Sequence, residues 1–283
     1  MLFDLLRSKR IPETTVQPSG NGGVYVALKG GLGNQLFQYA FAHFLRVNGI
    51  EVSALALNYF AADRYGRTPL IEALTDIPLR KIPADELKLM RVVKNENGHS
   101  IKDTLVARND ADVVCDGYWQ SGDYIDAAAQ KVSDDLLAHG RTKYGADKVE
   151  RSACVLHVRR TDYGHHGLLP LAYYLTCLEE CGWPEFRVST DEPNFSEHCF
   201  RKVQGYAGVM QSDARDPWGD FYAMANSTVQ IIANSSFSWW TAWLGRISGV
   251  SSRIFAPQEW SLISDLQPCR QEWTIVDVKL VRP

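Results

Sequence analysis

Two adjacent arginines at the end of an apolar run are the first residues in this chain whose types and spacing suggest chemistry: Ala153-Cys154-Val155-Leu156, then His157-Val158-Arg159-Arg160-Thr161-Asp162-Tyr163. The apolar run reads as a buried strand that delivers Arg159 and Arg160 bracketed by His157 and Asp162. Neighbouring guanidinium groups repel each other, keep their charge near neutral pH and fit phosphate oxygens two at a time. The strand end of an α/β sheet is where such an anion sits. Taken alone, the same residues fit a structural Arg–Asp ion pair at a strand end equally well.

Three further segments join a strand to a helix. Gly30-Gly31-Leu32-Gly33-Asn34 links an apolar strand at 24–28 to a helical pattern at 35–47. It is either a tight βα turn or a place where backbone approaches a ligand and a helix N-terminus offers free N–H groups. It matches neither GxGxxG nor a P-loop. Asn234-Ser235-Ser236-Phe237-Ser238-Trp239-Trp240 follows a strand at 229–233. Its small polar residues suit either a helix cap or phosphate oxygens, while Trp239, Trp240 and Trp243 read as core. Asp191 follows a strand at 185–189 and has two readings: an acceptor for guanine N–H groups or ribose hydroxyls, or the cap of a helix entered at Pro193. Asp110-Ala111-Asp112 is formally a DxD, but it precedes a strand at 113–115 rather than ending one. His165 and His166 have no third partner at ligand spacing, so no metal site is expected.

The elements that must position these residues alternate. Strands read at 24–28, 50–57, 113–115, 154–158, 185–189, 229–233 and 253–256, and helices at 35–47, 124–148, 170–181, 192–203, 216–226 and 237–244. A β–loop–α–β opening is the unit of a parallel sheet. The expected architecture is α/β with two Rossmann-like domains, 23–148 and 149–283, joined at a polar bridge over 143–148 and facing across a cleft. Residues 1–22 read as a lead-in. Among 283 residues the 30 basic and 33 acidic side chains give a net charge of −3, which argues against a general nucleic-acid binder. No apolar run reaches the ~20 residues of a membrane helix, and no secretory leader is visible. The six cysteines form no CxxC pair, and Cys115 and Cys154 fall in apolar runs as plain core residues, so a reducing, cytoplasmic setting is expected.

In order along the chain, Gly30-Gly31-Leu32-Gly33-Asn34-Gln35-Leu36-Phe37-Gln38-Tyr39-Ala40, Gly117-Tyr118-Trp119-Gln120-Ser121, His157 to Tyr163, Leu169-Pro170-Leu171-Ala172-Tyr173-Tyr174, Ser189-Thr190-Asp191, Ile231 to Trp240 and Ala256-Pro257-Gln258-Glu259-Trp260 resemble glycosyltransferase family 11, the bacterial α-1,2-fucosyltransferases. The ordered set spans about 24–260. The resemblance implies a GT-B-like fold, GDP-β-L-fucose as donor, inversion at the anomeric carbon, no cofactor and no metal, and transfer to the 2-hydroxyl of a galactose-terminated glycan. It implies that Arg159 and Arg160 hold the β-phosphate, with His157 and Asp162 orienting them. Asp191 would contact guanine or ribose, and Ser235, Ser236 and Phe237 the diphosphate. Gly31, Gly33 and Asn34 would close on the donor from the first domain. Thr161 stands where the family usually has glycine, and Ser189-Thr190-Asp191-Glu192 departs from the commoner Ser-Asp-Asp form. The general base stays open among Asp162, His165, His166 and Asp123. Peripheral association with the inner face of a membrane also stays open. Other readings are another GDP-sugar-dependent GT-B transferase, such as an O-fucosyltransferase, or a non-catalytic nucleotide- or sugar-binding protein.

Overall fold

The computed structural model describes residues 22–94, 105, 111–145, 151–161, 164–210, 216–264 and 268–282. Most of the 1–22 lead-in, Asp110, Asp162, Tyr163 and residues 146–148 of the polar bridge lie outside the described residues. The chain divides into two compact units, Met1–Asp135 and Leu136–Pro283.

The first unit holds β1 (Val24–Ala27), α1 (Leu32–Val47), β2 (Ala54–Ala56), β3 (Leu79–Arg80), α2 (Ala84–Leu89), β4 (Arg91–Lys94), β5 (Val113–Asp116) and most of α3 (Gly122–His139). Its strands pair in the order β3-β2-β1-β5-β4, every pair parallel. Parallel strands are buried on both faces, and β1 is buried at all four positions. The helix start differs from the expected Gln35. α1 begins at Leu32 with Gly31 as its N-cap, so Gly33 and Asn34 belong to its first turn. Gly30 makes this early entry: its φ is +79°, and a Cβ there would lie 2.7 Å from the Asn34 Nδ2. β2 is shorter than 50–57, because Gly49 and Ile50 still donate to the carbonyls of Arg46 and Leu45 at the helix end.

The second unit holds β6 (Ser152–Val158), α4 (Leu171–Glu180), β7 (Phe186–Thr190), α5 (Pro193–Phe200), β8 (Tyr206–Val209), α6 (Pro217–Ala225), β9 (Ser227–Ile231), α7 (Ser236–Ile247), β10 (Arg253–Pro257) and β11 (Thr274–Val276). The strand order is β11-β10-β9-β6-β7-β8, again all parallel. Trp239, Trp240 and Trp243 are buried in α7, as their core reading requires. The division between units falls inside α3 rather than in the polar bridge. The Tyr222 hydroxyl donates to the Leu136 carbonyl and meets His139 Nδ1, and Tyr144 donates to Asp216, so the end of α3 belongs with the second sheet. α3 runs into a π turn over Gly140–Tyr144 that Gly145 closes in a left-handed conformation.

In the first sheet β5 lies beside β1 with β4 outside it, without a reversal of order; the second sheet reverses its order of progression once, between β6 and β9. At such a point the connections leave in opposite directions and open a crevice at the carboxyl ends of the strands, where open α/β sheets bind ligands. Among the described residues no helix is long and apolar enough to cross a membrane.

Candidate active site

The residues of the second unit singled out from sequence gather at its reversal point. β6 ends at Val158 and hands over Arg159 and Arg160; neighbouring β9 ends at Ile231 and leads to Ser235 and Ser236. The His157 ring lies 5.8 Å from that of Phe237 in the first turn of α7, which ties the two strand exits together. His157 is almost fully buried, and its Nδ1 has no hydrogen-bond partner among the described residues. Burial first, and the Arg159 charge second, hold its pKa down at about 3 against the pull of Asp191. The imidazole is therefore neutral near pH 7.

The α7 N-terminus has no side-chain cap. Ser235 occupies the N-cap, yet no side-chain hydrogen bond caps the helix. Its first-turn N–H groups and the positive end of the helix dipole are therefore not served by a cap. The capping alternative for Ser235 is not realised. Asn234 is a staple instead: buried, it donates to the carbonyls of Gly167 and Trp260 and fixes the loop below the helix. Tyr173 and Tyr174 of α4 donate to Ile232, Phe255 and His157 carbonyls and brace the same strand ends.

Asp191 binds the arginine loop. One oxygen accepts the Arg160 N–H at 3.0 Å, and the other accepts the Thr161 N–H at 3.1 Å and the Thr161 hydroxyl. The Arg159 Nε stands 3.2 Å from the same carboxylate. Burial alone would raise its pKa; the Thr161 bond, the Arg159 charge and the two backbone donors outweigh that and hold it below the usual carboxylate range. The cap of α5 is Glu192, with no side-chain cap bond, so Asp191 is not the helix cap. Thr161 uses both its hydroxyl and its N–H here, and a glycine would supply only the second. Arg160 has other company: its Nε pairs with Glu192 at 2.9 Å and its guanidinium sits 3.8 Å over the Phe195 ring.

In the first unit, Asn34 accepts a hydrogen bond from Gln120 at 3.0 Å, bringing the glycine loop and the Gly117–Ser121 segment together. Trp119 between them adopts φ 55°, costly for a bulky residue; it is pinned by stacking on Phe41 at 4.0 Å. Gln35, fully buried, donates to Gly30 and Thr68 carbonyls and accepts from Leu70 and Ile71. Of the base candidates, His165 and Asp123 are exposed and His166 meets the Ser261 hydroxyl at 3.2 Å. Asp112 accepts the Gly23 N–H, a structural duty.

Sequence reasoning missed a second cluster. At the neighbouring exits of β1 and β5, the Lys29 ammonium pairs with Asp116 at 2.7 Å, and Tyr59 donates to the other Asp116 oxygen at 2.7 Å. The same ammonium lies 4.9 Å from the ring centres of Tyr59 and Tyr118. Only knowledge of which strands are neighbours brings these residues together.

No family model matches the chain. It is 26% identical over 288 residues to the O-antigen biosynthesis glycosyltransferase WbnK of Escherichia coli, spanning 84% of this chain and 94% of the relative. It is 24% identical over 302 residues to an Escherichia coli alpha-1,2-colitosyltransferase, spanning 90% of this chain and 99% of that one. Homology over nearly the full length thus supports a glycosyltransferase. Among solved structures, the NodZ alpha-1,6-fucosyltransferase co-crystallised with GDP matches at TM-score 0.45 and 16% identity, covering 82% of this chain and 94% of that one. The Escherichia coli heptosyltransferase WaaC matches at TM-score 0.47 and 10% identity, covering 89% and 92%.

Proposed function

We propose that this chain is an inverting galactoside α-1,2-fucosyltransferase of the GT-B type, taking L-fucose from GDP-β-L-fucose to the 2-hydroxyl of a terminal galactose. The observation that carries the reading is the β6/β9 crevice, where Arg159 and the side-chain-uncapped N-terminus of α7 share one strand end. In the transfer, the acceptor oxygen bonds to the fucose anomeric carbon from the face opposite the diphosphate. The bond from that carbon to the β-phosphate oxygen breaks, GDP leaves with the electron pair, and the acceptor proton is released. Charge grows on the diphosphate as that bond breaks, and preorganised donors aimed at growing charge lower the barrier most. On this reading Arg159 and the N–H groups of Ser236 and Phe237 take that role, and the neutral His157 adds no further cation beside Arg159. Asp191 fixes the loop, and Ser235 lines it. Because side chains and a helix end supply the positive charge, transfer should need no metal.

The relative described as a colitosyltransferase supports one second reading, a GDP-colitose donor. Incubation of the full chain with lactose and GDP-fucose, GDP-colitose or UDP-galactose, read by nucleotide release, separates the two. Turnover with GDP-fucose is expected; release from the UDP-sugar alone contradicts the reading.

A further inference from the structure

We propose that the Lys29–Asp116–Tyr59–Tyr118 cluster at the exits of β1 and β5 is a binding subsite for a neutral saccharide, the acceptor sugar if the fucosyltransferase reading holds, on which the word acceptor rests. Its place is the carboxyl ends of the neighbouring parallel strands β1 and β5, the end at which open α/β sheets bind ligands. Its construction is deliberate. The fully buried Gln38 accepts the Lys29 N–H at 3.0 Å and donates to the Gly117 carbonyl at 3.2 Å, stapling the exits of β1 and β5 side by side. Trp119, next to Tyr118 in the chain, lies in the left-handed region and stacks on Phe41.

The chemistry selects the class of ligand. Lys29 and Asp116 neutralise one another, so a free phosphate finds no net charge to meet. Both groups retain hydrogen-bonding capacity: the ammonium has two more protons, and each carboxylate oxygen a further lone pair. A donor and an acceptor side by side match the vicinal hydroxyls of a hexopyranose. Tyr118 is 45% exposed beside them, a large aromatic face next to a polar pair. That combination suits a sugar ring, which is apolar on its C–H face and polar on its rim. The loop carrying Tyr65, 59% exposed with the Arg67 guanidinium 4.4 Å over its ring, is a second aromatic surface close by in sequence to Tyr59.

The test is titration of lactose into the full chain by ligand-observed NMR, with GDP titrated in parallel, for wild type, Tyr118→Ala, Tyr118→Phe and Asp116→Asn. Wild type should bind lactose. Tyr118→Ala should weaken it about tenfold, the scale expected when one aromatic face is removed from a binding site, and Tyr118→Phe should restore it. Asp116→Asn should weaken it as well, with GDP affinity unmoved and circular dichroism native. Lactose binding equal to wild type in Tyr118→Ala overturns the subsite, as does wild type that binds neither lactose nor N-acetyllactosamine. Where transfer is measurable, the Tyr118→Ala effect should fall on the KM for lactose and not on the KM for the donor. Transfer with an unchanged lactose KM sinks the subsite and leaves the fucosyltransferase reading standing. Lactose binding without any transfer from a GDP-sugar sinks that reading and leaves the subsite.

Discussion

Arg159 and Arg160 are neighbours in sequence with different surroundings, and that difference ranks them. Arg160 is committed to Glu192 and to the face of Phe195; Arg159 shares Asp191 with the loop backbone at the mouth of the crevice. Arg159→Ala should cost on the order of 10²-fold or more in turnover, the scale of one missing donor to a developing anion. Arg160→Ala should cost less, and mainly through loop order. Steady-state rates of both variants check the ranking; near-normal turnover in Arg159→Ala would make its ion pair purely structural. For Asp191, guanine reading was the expectation from sequence, yet its oxygens already hold Arg159, Arg160 and Thr161. Asp191→Asn should therefore lower GDP and UDP affinity together. Calorimetry that finds the GDP-to-UDP ratio narrowed instead would return guanine reading to this carboxylate.

At the scale of elements, what the sequence hid is systematic. The strands it did not reveal, β3, β4, β8 and β11, are the four sheet edges. They are two to four residues long, and β4 buries only Val93. Such segments show no clean alternation of burial for periodicity to register. The central strands carry the arginines, the serines and the glycine loop, and those were legible. The Lys29–Asp116–Tyr59 cluster was not, since its members come from three separate strand exits and none is unusual alone. Helix α1 also carries a pH liability. His43, buried against Tyr39 at a ring distance of 4.5 Å, has its pKa lowered to about 4 by burial, with Lys131 and Arg46 adding and Asp76 and Asp135 opposing. The unfolded chain takes up that proton near pH ~6.5. The native state thus has the benefit in full above about 6.5 and loses it as pH falls toward about 4. His157 behaves alike down to about 3. In thermal melts from about pH 7 down to about 4, His43→Phe should flatten the fall in Tm; an unchanged slope would remove His43 from the acid response.

At the scale of the molecule, each of the two parallel α/β units gathers charged and polar side chains at the carboxyl ends of its central strands. The alternation of strands and helices made this two-part plan readable; the division inside α3 goes with the contacts of Tyr222 to Leu136 and His139, which join distant stretches of chain. The central claim is metal-independent transfer of fucose to a galactose 2-hydroxyl. Its most direct test is an NMR analysis of the product formed from GDP-β-L-fucose and lactose in the presence of EDTA. The expected product is a trisaccharide with fucose α-linked to galactose O2, formed at the same rate with and without chelator. A different linkage, no product, or a product restored only by added Mn²⁺ would contradict the account.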